Sequence, residues 1–263
     1  MSTVSSLKRL SAGFLFALAL VCFAPTALAQ TIPPTWDHYW AYHVLPSPPP
    51  PPPVILHDQF GMWPHTVGQL LLFQNPVRKE HAGGIFPITR PDLHYTWWQI
   101  DPIPSPRPFV EVENQFGRMR LDVFESAFLW NPALKNEHGS PPVANHYKCY
   151  TCAGPPLQVP VHLWDQFQQR TVQVLTPRFL CNPAAKQAAS GLVYPIVDAE
   201  QHYVVYEIDQ GTGIFTAVVT DQFVSDWQLA PIGPDRYLAV PSLKHDPTPA
   251  HRNSWGRLKS LYR

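Results

Sequence analysis

The sequence predicts an all-β protein built from four pseudo-repeats of about 54 residues. Three observations predict it. One short motif recurs four times, each copy carries runs of strict alternation, and helix signals are nearly absent. The 32 prolines would break most helices. The motif is His-Tyr, then Gln-Phe about twenty residues on, then a Pro and a Lys. Copies begin at His38-Tyr39, His94-Tyr95, His146-Tyr147 and His202-Tyr203. Gln59-Phe60, Gln115-Phe116, Gln166-Phe167 and Gln222-Phe223 follow. Asn75-Pro76, Asn131-Pro132, Asn182-Pro183 and Val240-Pro241 close the copies, with Lys79, Lys135, Lys186 and Lys244 just beyond.

Each copy opens on an alternating run. His38, Trp40, Tyr42 and Val44 share one parity, as do His94, Thr96, Trp98 and Ile100. His146, Lys148, Tyr150 and Cys152 follow suit, and so do His202, Val204, Tyr206 and Ile208. The third member is always aromatic and the fourth apolar, which indicates a half-buried strand. A second strand precedes each Gln-Phe. Val54/Leu56, Val110/Val112, Val161/Leu163 and Ala217/Val219 lie on its apolar side, and Ile55/His57, Glu111/Glu113, His162/Trp164 and Val218/Thr220 on the other. A third strand follows at Val67, Leu121/Val123, Val172/Val174 and Trp227/Leu229.

The prolines from Pro48 to Pro53 read as an extended polyproline-II connector inside a repeat. The distance from His-Tyr to Gln-Phe stays at 20 or 21 residues with or without them, which a flexible linker would not maintain. The Gln-Phe pairs are 56, 51 and 56 residues apart. Copies one and three share Gly84-Ile85-Phe86-Pro87-Ile88 and Leu192-Val193-Tyr194-Pro195-Ile196, which copies two and four lack. The chain therefore reads as a duplicated pair, 30–143 and 144–247. The expected arrangement is two small sandwiches or barrels, with a four-bladed propeller as the alternative.

Residues 1–29 read as a secretory signal. Lys8 and Arg9 precede an apolar stretch from Leu10 to Phe23, and Ala27-Leu28-Ala29 forms a cleavage site before Gln30. A secreted or periplasmic location follows. No later stretch approaches the ~20 apolar residues of a membrane helix. Without Lys8 and Arg9, 17 basic side chains face 19 acidic ones, which gives no basic patch for nucleic acid. Residues 248–263, with Arg252, Arg257, Lys259 and Arg263, read as a frayed basic tail.

Three cysteines lie beyond the signal. Cys152 takes the place of Val44, Ile100 and Ile208, and so behaves as a small buried hydrophobe. Cys149 takes the place of Ala41, Trp97 and Val205, while Cys181 takes that of Gln74, Trp130 and Ala239. These two positions vary together: two cysteines in one copy, two tryptophans in another. They are therefore expected to touch, and a Cys149–Cys181 disulfide is predicted, with Cys152–Cys181 as the rival. Such a bridge contributes on the order of 3 kcal/mol.

His146-Tyr147-Lys148-Cys149-Tyr150, Asp165-Gln166-Phe167 and Leu180-Cys181-Asn182-Pro183-Ala184-Ala185-Lys186 resemble a repeat found in an uncharacterised family of secreted bacterial proteins. Its copies carry H-[FY]-K-C-Y, D-Q-F-G and L-C-x-P-x-x-K. The resemblance spans roughly residues 36 to 245. It is strongest in copy three. Copies one, two and four lack both cysteines, Asn114 replaces the Asp in copy two, and copy four lacks the Gly after Phe223. The resemblance implies a repeat architecture and export, and no reaction.

Two kinds of site compete with a purely structural reading. His38, His94, His146 and His202, with Asp58, Asp165 and Asp221, offer imidazole and carboxylate ligands for a metal. The structural alternative caps strands with His and turns with Asp. It is preferred because every copy needs to fold, whereas catalysis breaks such symmetry. Trp63 and Trp164, in a loop and on an outward parity, are candidates for stacking on a sugar or anchoring a partner. No G-x-S-x-G, phosphate loop, H-E-x-x-H or cofactor motif occurs. The expectation is an exported, non-catalytic structural or partner-binding protein, with glycan or metal binding as the alternative and an unrecognised hydrolase behind both.

Overall fold

A computed structural model describes residues 31–211 and 213–245. The expected signal at 1–29 and tail at 248–263 lie outside the described residues. Repeat one supplies β1 (His38–Leu45), β2 (Val54–Asp58), β3 (Gly61–His65), β4 (Val67–His81) and β5 (Gly84–Phe86). Repeat two supplies β6 (His94–Ile100), β7 (Phe109–Asn114) and β8 (Gly117–Lys135). Repeat three supplies β9 (His146–Ala153), β10 (Val159–Trp164), β11 (Gln169–Gln187) and β12 (Val193–Tyr194). Repeat four supplies β13 (His202–Gly211), β14 (Ala217–Thr220), β15 (Trp227–Pro231) and β16 (Asp235–Lys244). Among the described residues no helix is long and apolar enough to cross a membrane.

Eight of these strands close into an antiparallel ring. Within the repeats β1 pairs β4, β6 pairs β8, β9 pairs β11 and β13 pairs β16. Between repeats β4 pairs β6, β8 pairs β9, β11 pairs β13, and β16 returns to β1. The described residues from Ile32 onward accordingly form one unit. The two expected sandwiches are thus halves of one barrel. The reason is the seam: β1 and β8 each need a partner strand from the other pair of repeats.

The register sets the shape. Within repeat one Tyr39 faces Pro76, but across the next seam Tyr95 faces Gln74, two residues earlier. The same step recurs at Tyr147–Trp130, Tyr203–Cys181 and Tyr39–Ala239. Eight strands therefore accumulate a stagger of eight residues, which tilts them and leaves an interior that side chains can fill. Pro76, Pro132, Pro183 and Pro241 lie two residues past the last pair on the seam side. A residue without an N–H is accommodated there at no cost in ladder bonds.

Tyr39, Tyr95, Tyr147 and Tyr203 form one interior layer. Their rings meet edge to face around the axis at 5.2, 5.7, 5.2 and 5.8 Å. Such pairs contribute about 0.5–1.5 kcal/mol each beyond burial. The next layers hold the jointly varying positions, which are direct cross-strand partners: Ala41 with Gln74, Trp97 with Trp130, Cys149 with Cys181, Val205 with Ala239. Cys149 and Cys181 are disulfide-bonded, and Cys152 is a buried free thiol whose pKa burial pushes up to about 12. Trp97 stacks on Trp130 at 4.7 Å, so one copy fills with rings the space another fills with a disulfide.

A second, larger core lies outside the ring. The connector of each repeat leads to an arm: β2 with β3, β7 with the start of β8, β10 with the start of β11, and β14 with β15. The apolar side of each arm strand, such as Leu56, Val112, Leu163 and Val219, packs on outward-facing Trp40, Trp98, Tyr150 and Tyr206. Each such fully buried side chain contributes roughly 1.5–3 kcal/mol. Every arm then pairs with a barrel strand two repeats away: β2 with β11, β7 with β16, β10 with β4 and β14 with β8. Repeats one and three exchange arms, as do repeats two and four.

The shared seams and exchanged arms make residues 30–143 incomplete alone. Expressed separately, that half is expected to show no cooperative thermal transition by circular dichroism. A cooperatively melting half would restore the two-domain reading.

Candidate functional site

The repeated polar residues converge at four equivalent nodes, each drawing on three repeats. At one node Gln166, in the turn between Asp165 and Gln168, reaches His94 Nε2 at 3.4 Å and Asn75 Oδ1 at 3.5 Å. Asp165 accepts from Tyr42 Oη at 2.8 Å and from Asn75 Nδ2 at 3.2 Å. Its other oxygen accepts from the backbone N–H of Phe167 and Gln168, fixing the turn at the arm tip. Lys135 Nζ donates to Asn75 Oδ1 at 3.3 Å and lies 4.7 Å from the Phe167 ring.

The pattern repeats around the ring. His146 meets Gln222 at 2.8 Å, Asp221 accepts from Trp98 Nε1 at 2.7 Å, and Lys186 donates to Asn131 at 2.8 Å under Phe223. Gln59 meets His202, Asp58 accepts from Asn182 Nδ2 at 3.0 Å, and Lys244 lies 4.5 Å from Phe60. His38 meets Gln115 Oε1 at 2.8 Å, with Lys79 under Phe116 and Phe86. Each arm tip thus holds the His and Lys of the preceding repeat and barrel side chains two repeats away.

The fourth of these nodes departs from the others in a correlated way. Asn114 stands where the others have Asp, and Val240 where they have Asn. The lost carboxylate–amide bond is replaced by Asn114 Nδ2 donating to Tyr206 Oη at 2.8 Å and Ser242 Oγ at 3.1 Å. Val240 also removes the oxygen that would receive the lysine. Lys79 Nζ has no hydrogen-bond partner among the described residues.

Burial decides the charge states. Desolvation lowers Lys79 and Lys186 to about 7 and Lys135 to about 8. It lowers His94 and His202 to about 3, and His38 and His146 well below their ordinary value, with the adjoining lysine adding to the effect. The imidazoles are therefore neutral. His94 and His202 approach carbonyls of Asp92 and Glu200 through Nδ1, which leaves Nε2 to accept from Gln. His38 and His146 donate from Nε2 to a Gln oxygen instead. The tautomer alternates between odd and even repeats, which is the nested duplication expressed in a hydrogen bond.

The histidines face glutamines, and Asp58, Asp165 and Asp221 face amides, hydroxyls or an indole; no cluster of three His, Cys, Asp or Glu side chains suited to a metal occurs among the described residues. Trp63 on β3 and Trp164 on β10 are exposed by 39% and 49%. They belong to different arms, and the Arg78 guanidinium lies 5.4 Å from the Trp164 ring. Sequence reasoning missed the Asn–Lys bond and the residues before His38 and His146. Asp37 accepts from the N–H of Thr89 and Arg90, and Asn145 from those of Val197 and Asp198, which pins the segments that only copies one and three share.

Fold and nodes define a closed β-barrel assembled from arm-exchanging repeats. The chain belongs to the family described as "Repeat of unknown function (DUF7450)", whose model matches residues 94–240. No curated protein and no solved structure matches the chain.

Two outcomes are expected at the nodes. Lys79→Met, which removes an unpartnered buried amine, raises the unfolding free energy by about 1 kcal/mol or more. Lys186→Met, which orphans Asn131 Oδ1, is the less stable of the two by denaturant titration; equal stability would deny the lysine–asparagine bond any weight. Separately, Lys79, Lys135, Lys186 and the four node histidines have lower pKa values folded than unfolded, so the unfolded chain binds more protons and stability rises with pH. From pH 6 to 9, below tyrosine ionisation, the melting temperature should climb; a flat or falling profile contradicts the neutral nodes.

Proposed function

We propose that this chain is an exported, non-catalytic β-barrel whose work is structural or the binding of a partner outside the cytoplasm. The observation that carries this is the node. The His, Asp, Gln and Lys side chains with the most chemistry are committed, in each repeat, to tying an arm to the barrel. Export is supported by the basic and apolar N-terminal segment ending at Ala27-Leu28-Ala29, and by the Cys149–Cys181 disulfide, which suits an oxidising compartment.

A glycan-binding reading has its own support at one mouth of the barrel. Phe128, Phe179 and Tyr237 are half-buried there and ring Trp97 at 5.4, 5.9 and 6.1 Å. They pair across strands or lie on the interior parity with His43, Gln99, Thr151 and Glu207, four different polar groups where the tyrosine layer is uniform. Aromatic faces beside hydrogen-bonding groups suit a sugar ring.

Single His→Gln variants at positions 38, 94, 146 and 202 test the main reading. All four are expected to lose about 1–3 kcal/mol of stability. A variant that kept its melting temperature would release that histidine for another role. On a glycan array, binding that disappears in Phe179→Ala and Tyr237→Ala would favour the second reading.

A further inference from the structure

The barrel end above the tyrosine layer holds a cavity of about 240 Å³, lined by Trp36, Tyr39, Arg90, Leu93, Asp198 and Gln201 among others. That is below the range of drug-sized sites and suits a small metabolite. Here the fourfold pattern gives way to a twofold one. Asp37 holds the N–H groups of Thr89 and Arg90 at 2.7 Å each, and Asn145 holds those of Val197 and Asp198 at 2.8 and 3.0 Å. Thr89-Arg90 and Val197-Asp198 are therefore the same backbone site in repeats one and three. They differ in the one respect that matters for a ligand: one places a guanidinium at the cavity, the other a carboxylate.

We propose that this cavity binds a free α-amino acid as its zwitterion, with the carboxylate on Arg90, the ammonium on Asp198, and the side chain against Trp36 and Leu93. The two charges are not spent on each other. Arg90 donates from Nη1 to Val143 O at 3.3 Å and has the Asp92 carboxylate at 3.7 Å, and neither partner lines the cavity. Asp198 makes no ion pair among the described residues; it accepts from Trp36 Nε1 at 3.1 Å and from the Glu200 N–H at 3.0 Å. Its two oxygens keep further acceptor capacity, since a carboxylate has about four acceptor sites. Asp37, the other carboxylate at the cavity, is occupied by Thr89 Oγ1 and the two backbone donors. A ligand carrying both charges can meet Arg90 and Asp198 together, since both line the one cavity, whereas a ligand with a single charge meets only one of them. Gln201 and Asn145 bracket the site, their amides already tied to Tyr203 and Tyr147 hydroxyls, so the floor is preorganised.

This inference stands apart from the role of the nodes, which lie outside the ring. The test is isothermal titration of the chain from Gln30 onward with glycine, alanine, leucine and phenylalanine. The amine and the acid that lack the carboxylate or the ammonium of leucine serve as controls. At least one amino acid is expected to bind with unit stoichiometry, and each control about tenfold or more weakly. Arg90→Gln and Asp198→Asn should each weaken binding by a similar factor. Asp198→Asn keeps an oxygen for Trp36 or Glu200, and matching near-ultraviolet dichroism would show that the fold is retained. Absence of heat at millimolar amino acid overturns the proposal. So does a control that binds as tightly as the amino acid, or binding unchanged in both variants.

Discussion

The structure depends on the attachment of each arm tip two repeats away from its own barrel strands. A hairpin such as β2–β3 could not stand alone in water, and a bare eight-stranded ring would expose Trp40, Trp98, Tyr150 and Tyr206. The arm solves both problems only if its tip is held in register. The node does that with a turn carboxylate, a glutamine, a neutral imidazole and a lysine beneath a phenylalanine. Because the hold is made to other repeats, no repeat can complete its own core.

That constraint explains why the two cores differ in regularity. Outside the ring, every repeat presents the same problem, so aromatic third positions and apolar arm parities recur with little change. Inside, each layer is shared by four repeats and needs only the right total volume. Trp97 with Trp130, Cys149 with Cys181, and the small Val205 with Ala239 are therefore interchangeable as pairs while no single member is. The tyrosine layer is the exception, because four rings meeting edge to face leave no room for another side chain.

Burial of Lys79, Lys135 and Lys186 carries a cost that the fold accepts at three nodes. Lys135 and Lys186 are each held by one amide oxygen and an aromatic face, and burial lowers their pKa to about 8 and about 7. The node with Asn114 and Val240 shows how the arrangement tolerates change. The carboxylate and its amide partner were lost together, and Tyr206 and Ser242 took over the remaining amide. Among the described residues the Lys79 amine is met only by the Phe86 and Phe116 rings.

Much was legible in the sequence because it is local or periodic. The all-β class, the strand parities and the Cys149–Cys181 pairing follow from period-two alternation and from comparing copies that share one backbone. The turn at Asp165-Gln166-Phe167 is local too. What the sequence could not decide is which repeat each group would meet. Gln115 reaches back to His38 and Asn114 across to Tyr206, and both distances depend on a stagger that accumulates only when the ring closes. The separate-sandwich expectation failed for that reason: nested duplication records descent, whereas pairing is decided by which edges remain open. Arg90 and Asp198 are distant in sequence and unalike in charge, and only the tertiary fold brings them to the lining of one cavity.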